Sequence, residues 1–302
     1  MFSVTKNKVW LLLLPVVLII AGIIGLLVNG GFKEDIDFAG GTSMQIEIGR
    51  TLSGSERDEL SKAYAEAASL EVKPIVQTTG QAFDQVIIKS TTLTEEQKNL
   101  AFDAVKSKYS LDDSALLSTA SQNASYGNEM KRNTLLYSLI AAILMLIYIA
   151  IHFEWKKGVM AVVALAINIL VMLSVYAVCK IPLSTTFIAA ILTVLGYSIN
   201  DTIVIFDRIR ENAKRTKKES ATEITEKSIW QSMTRTINTS ITTLVTIVIL
   251  YFMGATALKD FALPIIIGVI CGSYTSIFVA SPWWAAWSDV NYKAPKQKKA
   301  KA

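Results

Sequence analysis

Six long uncharged stretches constrain the fold of this chain more than any other feature of its sequence. They are Val9–Val28, Asn133–Ile151, Gly158–Cys179, Ile181–Asn200, Thr236–Leu258 and Phe261–Ser288. A helix needs about 20 apolar residues to cross the roughly 30 Å hydrocarbon core of a bilayer. The sequence therefore predicts an α-helical polytopic membrane protein with six transmembrane helices.

Lysine and arginine are unevenly distributed between these stretches. If the N-terminus is inside, the cytoplasmic segments hold 17 of the 30 basic residues, and the two short opposite loops hold one each, Lys180 and Lys259. The positive-inside rule then predicts that both termini are cytoplasmic. Residues 289–302 are expected to form a basic cytoplasmic tail near anionic lipid rather than a nucleic-acid contact.

The polar region 30–132 is long enough for one small domain, which this topology places outside the cytoplasm. Local patterns predict strands at Ser43–Ile48, Val72–Thr78, Ala82–Ser90 and Ser114–Ser121, and helices at Ser53–Ser69 and Thr94–Tyr109. This order of elements is that of the α+β ferredoxin-like split motif. The predicted organisation is a first span within 1–29, this domain, a five-helix bundle at 133–288 with a cytoplasmic loop at 207–233, and the tail.

The fourth uncharged stretch continues past Asp201 to Phe206, so a carboxylate lies inside a predicted span. An Asp at the centre of a span costs about 2.5–3.5 kcal/mol, and such residues usually face a bundle interior and handle ions or protons. Arg235 begins the fifth span at the same side of the membrane, which makes a pair with Asp201, direct or through water, geometrically available. A permanent salt bridge that fixes helix register is the structural alternative.

Polar residues follow Arg235 along one face of the fifth span. Thr239, Thr242 and Thr246 lie at helical spacing, and Asn238 flanks them. Because each hydroxyl can both donate and accept, this stripe is a candidate path for water or protons. The alternative is hydrogen bonding between helices, worth about 0.6 kcal/mol per contact. For the threonines considered alone, this alternative is favoured over a path.

Small residues predict close helix packing at two places. Gly268, Gly272 and Ser276 recur every four residues in the sixth span, and Gly196 precedes Asn200 by one turn in the fourth. The chain has no nucleotide-binding loop, no hydrolase elbow and no cluster with metal-ligand spacing. We therefore expect no enzymatic activity, no cofactor and no metal site, with energy supplied by a partner or an ion gradient.

Three strings in the chain resemble the SecD/SecF family of protein-export membrane proteins. They are DFAGGT at Asp37–Thr42, GYSINDTIVIFDRIREN at Gly196–Asn212 and RTINTS at Arg235–Ser240. The resemblance covers essentially the whole chain. It implies that Asp201 and Arg235 match an intramembrane acid and arginine of the family, and that Asp37, Gly40, Gly41 and Thr42 match a motif after the first span that we expect to be a structural turn.

The resemblance also implies a function. It is that of an accessory subunit of the Sec translocase, related to the resistance–nodulation–division superfamily, which uses the proton gradient to promote late-stage export of polypeptides. SecD is implied as an obligate partner, with the SecYEG translocon, a YidC-type insertase and the translocating polypeptide as further partners. The expected coupling ion is H⁺, and sodium would suit the same carboxylate.

Two other functions stay open at this point. The chain could be a non-transporting scaffold for the translocon and insertase, in which Asp201 only fixes helix register. It could instead be half of a small-molecule exporter of the same superfamily, although such exporters normally need larger outer domains. A scaffold should keep working when Asp201 is replaced by Asn.

Overall fold

The computed structural model of this 302-residue chain describes residues 3–80, 82–122, 124–152, 154–216, 219–253 and 256–289. The predicted basic tail after Asp289 lies outside the described residues. Gln81, in the predicted turn between the second and third strands, lies outside them as well.

One long helix is followed by a compact α+β segment and then by the remaining long helices. In chain order they are α1 (Lys8–Asn29), α2 (Ile36–Ala39), β1 (Gly41–Glu47), α3 (Gly54–Ala67), β2 (Ile75–Thr79), β3 (Gln85–Ser90), α4 (Glu95–Tyr109), a 3₁₀ turn (Asp113–Ala115), β4 (Leu116–Gln122), α5 (Ala124–His152), α6 (Trp155–Cys179), α7 (Thr185–Arg215), α8 (Ala221–Met253), α9 (Thr256–Thr275), a π-helical turn (Ser276–Ala280) and α10 (Ser281–Asp289).

Six helical segments in the described part of the chain are long and apolar enough to cross a membrane. They are α1, α5, α6, α7, α8 and the continuous segment from α9 through α10. Four of them contain a whole uncharged stretch, whereas α7 begins four residues inside the fourth stretch and α8 ends at Met253, inside the fifth. The protein is therefore a multi-pass membrane protein.

Most of the segment 207–233, which the sequence predicts to be a helical connection on the cytoplasmic side, is helix. The fourth span continues as α7 to Arg215, and α8 already begins at Ala221. Glu211 stabilises the polar end of α7 by accepting from both Arg208 and Arg215 at 2.6 Å. Such pairs, three and four residues apart, contribute about 0.2–0.5 kcal/mol each to a helix.

The small domain has the element order that the sequence pattern predicted, with adjusted strand ends. Its four strands form one antiparallel sheet in the order β2-β3-β1-β4. The second strand begins at Ile75 rather than Val72, after Pro74, whose nitrogen has no hydrogen for a ladder. Both helices begin with a capping box, formed by Ser53 with Glu56 and by Thr94 with Gln97.

One face of this sheet is covered by α3 and α4. The core between them is made of large buried side chains, among them Met44, Ile46, Leu60, Tyr64, Ile88 and Phe102. A separate core cluster fills the helical bundle. The molecule thus has two hydrophobic cores, joined at the segment that contains α2.

Close helix contacts organise the bundle around α7 and α9. A Cβ on Gly268 would lie 2.4 Å from Val194 of α7, and one on Gly272 would lie 3.0 Å from Ser198. Ser276 follows on the same face and donates to the carbonyl of Ser198. The small-residue face predicted in the sixth span is therefore in close contact with α7.

Candidate ion-coupling site

Asp201 lies in the middle of α7, and only 2% of its surface is exposed. Its Oδ2 accepts a hydrogen bond of 3.2 Å from the hydroxyl of Ser273 in α9. Ser273 is its one hydrogen-bonding side chain among the described residues, whereas an ionised carboxylate offers about four acceptor positions. The site therefore has unused capacity for a proton, a water molecule or a small cation.

Ser273 connects Asp201 to a chain of hydroxyl groups that spans three helices. Its Oγ lies 2.6 Å from the Oγ of Ser240 in α8, and the phenol of Tyr197 in α7 donates to Ser240 at 3.3 Å. Each hydroxyl can donate to the next, so Tyr197, Ser240 and Ser273 can all orient their protons toward Asp201. This arrangement can pass a proton or polarise one toward the carboxylate.

The direct ion pair between Asp201 and Arg235 is not formed. Both residues are described, and no ion pair within 4.0 Å joins them, although the Arg235 charge is near enough to act on the carboxylate. Arg235 is exposed in this chain, whereas Asp201 is turned toward α9. The sequence correctly placed both residues at neighbouring helices, but helical spacing does not determine how far each side chain is rotated.

Arg235 instead lines a groove of about 550 Å³ between α7 and α8. Polar and charged residues line it, including Asn200, Asp207, Arg208, Gln231, Ser232 and Arg235. Such a lining favours water over lipid. Asn200 and Asp201 are consecutive, so the wall of α7 separates this groove from the buried carboxylate.

The predicted stripe on α8 does not reach Asp201. Thr239, Thr242 and Thr246 each donate to a carbonyl three or four residues earlier in their own helix. Thr242, Thr246 and Asn238 are exposed in this chain, and Thr239 is half-buried. The residue of α8 that does enter the site is Ser240, on the opposite face from Asn238.

Gly196 also differs from its predicted role within this chain. A Cβ at Gly196 would meet nothing within 4 Å, and Gly196, Asn200 and Thr193 are all exposed. They form one small, polar face of α7 that no other described helix covers. Close packing at Gly196 is therefore not made within the described residues.

A second buried polar layer lies beside Asp201, next to the π-helical turn. Thr202 and Ser276 are 2.8 Å apart, and both also contact the carbonyl of Ser198. The Oγ of Ser198 and the Oδ1 of Asn168 in α6 are buried with no hydrogen-bond partner. A π-turn widens the helix and often marks a functional region, and here it brings Ser276 against α7.

The motif from Asp37 to Thr42 connects the bundle to the sheet. Gly40 has φ +74°, and a Cβ on Gly41 would lie 2.3 Å from the carbonyl oxygen of Ser90. Thr42 is buried and accepts from the backbone of Leu93 at 3.0 Å. These three residues form a tight turn into β1, whereas Asp37 contacts α7.

Sequence reasoning missed Ser273, Ser240 and Tyr197. Single serines are common in transmembrane helices, so nothing in the pattern separates these from others. A signal was available for Ser273, which directly follows Gly272 of the small-residue face, whereas Ser240 and Tyr197 lie on other helices. Metal binding has no support in the described ranges, where no group of three or more His, Cys, Asp or Glu side chains could hold an ion.

Comparison with known proteins agrees with this architecture. The family described as "Protein export membrane protein SecD/SecF, C-terminal" matches residues 103–290. The protein translocase subunit SecF of Alicyclobacillus acidocaldarius is 33% identical over 97% of this chain and 94% of its own length. SecF of Haemophilus influenzae is 33% identical over 84% of this chain and 76% of its own length.

Longer relatives contain a similar region as one part. The protein translocase subunit SecDF of Thermus thermophilus is 33% identical over 91% of this chain, which spans 37% of that relative. The crystal structure of SecDF from Thermus, titled a translocon-associated membrane protein, superposes with a TM-score of 0.81 at 31% identity, over 95% of this chain and 38% of that one. On these matches the chain belongs to the SecD/SecF family of protein export membrane proteins, on its SecF side.

Proposed function

We propose that this protein is an accessory subunit of the Sec protein translocase, working in the cytoplasmic membrane with both termini in the cytoplasm. Relatives over nearly its whole length are named protein translocase subunits, not enzymes. The small domain, whose strand order is that of a ferredoxin-like sheet, would lie outside. SecYEG, a YidC-type insertase, anionic lipid and the translocating polypeptide are its proposed partners.

We further propose that Asp201 couples export to the proton gradient. The buried carboxylate with one hydroxyl donor is the observation that carries this proposal. A register-fixing salt bridge needs a cation in contact, and the ion pairs of the described residues include none for Asp201. A carboxylate with free acceptor positions in a membrane interior is suited to binding and releasing an ion. No cofactor is needed for this step.

A SecD subunit is the proposed cover for the polar side of α7 and α8. Two SecDF relatives carry the SecF-like region in a chain more than twice as long. In this chain Gly196 and Asn200 on α7, and Arg235, Asn238 and Thr242 on α8, are exposed. Polar side chains in a membrane face other protein segments rather than lipid, and small residues allow helices to approach closely. The exposed polar groups therefore favour a partner helix here.

The first experiment is export by membrane vesicles that carry SecD with either Asp201→Asn or Asp207→Asn. Asp207 is a matched control, since it lies on the same helix but is exposed in the groove and pairs with Arg210. We expect Asp201→Asn to abolish gradient-dependent release of the polypeptide, and Asp207→Asn to retain it. Full activity of Asp201→Asn in an intact SecD complex would contradict ion coupling and favour the scaffold.

The SecD interface has a test of its own. Gly196→Leu fills space that is empty in this chain, so the isolated subunit should remain folded while co-purification with SecD declines. Leu144→Phe, on the exposed apolar surface of α5, is the matched control for added bulk. Equal SecD recovery from both variants would show that the partner does not cover α7 at Gly196.

A further inference from the structure

The outer end of α7 is held by a carboxylate from a distant part of the chain. Asp37 Oδ2 accepts from the backbone N–H of Thr185 at 3.2 Å and from its hydroxyl at 2.7 Å. Thr185 is the first residue of α7, where backbone N–H groups lack helical partners and a negative charge is favourable. The Ser184 hydroxyl already caps this helix by accepting from the backbone N–H of Phe187, so Asp37 adds a second interaction at the same helix end.

The segment before Asp37 is joined to the loop before α7 by backbone hydrogen bonds. The N–H of Asp35 donates to the carbonyl of Leu183 at 2.9 Å, and the N–H of Leu183 donates to the carbonyl of Lys33 at 2.8 Å. This short parallel bridge fixes the position of Asp37 relative to α7. The contact therefore joins two restrained backbones and does not depend on one flexible side chain.

A second connection joins the sheet to α9. Lys89 of β3 lies 2.7 Å from Asp35 and 3.8 Å from Asp260 near the start of α9. The side chains of Lys89 and Asp35 are only 12% and 8% exposed. The sheltered pair with Asp35 fixes the position of Lys89, and from there Lys89 makes the longer contact with the partly exposed Asp260 of α9.

These two connections contact the two helices that meet at the buried acid. Asp37 holds α7, which carries Asp201, and Lys89 contacts α9, which carries Ser273. From Thr185 to Asp201 is sixteen residues of continuous helix, or about 24 Å. A continuous helix transmits a shift along its axis, so displacement at Asp201 reaches Thr185 and its partner.

We infer that Asp37 is a positioning residue that couples movement of α7 at the buried acid to the small outer domain. The inference rests on the proposed function, because it supposes that α7 responds to the gradient. Asp37 lies in α2, three residues before Gly40 and the turn into β1, so a pull on Asp37 acts on the first residue of a central strand of the domain sheet. Without Asp37, α7 would still respond, but the domain would follow only through the backbone bridge at Leu183 and through Lys89, so its response would be smaller.

The test compares two single-cysteine probes in vesicles that contain the SecD complex. In a Cys179→Ser, Cys271→Ala background, Val204→Cys reports on the groove beside α7, and Ser118→Cys reports on the exposed strand β4. The rate of labelling by N-ethylmaleimide is measured with and without the gradient. Each probe is combined with Asp37→Ala, with Asp37→Asn, or with Asp58→Ala as a matched control on exposed α3.

We expect the gradient to change both labelling rates in the probe background and in Asp58→Ala. Asp37→Ala should keep the response at Val204→Cys and reduce it severalfold at Ser118→Cys, since only the backbone bridge and Lys89 then connect the two ends. Asp37→Asn keeps an acceptor oxygen for Thr185 and should restore much of the outer response. This split between probes is not expected of a residue that merely stabilises the fold.

Two results would overturn the inference. An outer response of unchanged size in Asp37→Ala shows that another contact does the coupling, and loss of both responses in an intact complex shows that Asp37 supports α7 itself. Failure of the proposed function gives a different result. In that case neither probe responds to the gradient even when Asp37 is present, and the coupling inference is refuted with it.

Discussion

Replacing glycine by alanine at four helical positions tests how closely the bundle is packed. The added Cβ would lie 2.5 Å from the backbone Cα of Ser174 at Gly22, and 2.4 Å from Val194 at Gly268. At Gly272 its nearest neighbours are at 3.0 Å, and at Gly196 there are none within 4 Å. The same chemical change therefore meets four different degrees of crowding.

The expected magnitudes follow from two opposing effects. Alanine is about 1 kcal/mol better than glycine inside a helix, whereas overpacking costs typically about 1–3 kcal/mol. Gly22→Ala should be the most destabilising, because a backbone atom of α6 must move away. Gly268→Ala should follow, since Val194 is buried and has little room, and Gly272→Ala should be milder. Gly196→Ala should gain up to about 1 kcal/mol in the isolated subunit.

Reversible denaturation of the purified subunit in mixed micelles gives the four free energies of unfolding. The critical quantity is the difference between Gly22→Ala and Gly196→Ala, which should be at least about 2 kcal/mol. Equal effects at these two positions would refute the packing of α1 against α6. An inverted order of Gly268→Ala and Gly272→Ala would refute the close approach of α9 to Val194.

Three further predictions concern polar contacts. Ser273→Ala should slow gradient-dependent export about fivefold, the equivalent of about 1 kcal/mol. The double variant with Ser240→Ala should lose less than the sum of the two single free-energy effects, because both serines act through one chain of hydroxyl groups. Additive free-energy effects would show that Ser240 acts separately. Glu226→Gln should lower the free energy of unfolding by about 1 kcal/mol, because the Glu226 carboxylate accepts from the backbone of Thr5 and other N-terminal groups. An unchanged denaturation curve in mixed micelles would show that this N-terminal contact is dispensable. The Arg50 guanidinium, together with the hydrogen bonds from Ser53, lowers the pKa of Glu56 from 4.5 to about 2, so these contacts stabilise the folded state above pH 4.5 and their effect disappears as the pH falls toward 2. The thermal midpoint of Glu56→Gln, followed by circular dichroism, should therefore fall below that of the unmodified protein near neutral pH and match it in acid; a pH-independent gap would contradict this.

Features set by local sequence were predictable, and features set by distant contacts were not. The capping boxes at Ser53 and Thr94 were found because each depends on a residue only three positions away. The apolar spans were found because lipid, not a particular neighbour, buries them. The contact of Asp37 with Thr185 joins residues 148 positions apart, and no periodicity reports on it.

The candidate site shows the same division. An acid in an apolar run identifies Asp201 without any knowledge of the fold. The direct pair with Arg235 is not formed, because the carboxylate is directed to Ser273 of α9, and a pair through water stays a prediction. The orientation of a helix is decided by packing, and packing here depends on Gly268 and Gly272.

The small residues of α9 and the buried acid thus belong to one arrangement. Ser273 directly follows Gly272, and its hydroxyl reaches Asp201 at 3.2 Å only because the two helices approach so closely. A bond of this length is at the weak end for a hydroxyl and a carboxylate, so a further small separation of the helices would break it. The same small separation would admit water to the free positions of the carboxylate. Packing at Gly272 and access of water to Asp201 are therefore physically linked, and under the proposed function a shift of α9 against α7 would be the movement that ion binding drives.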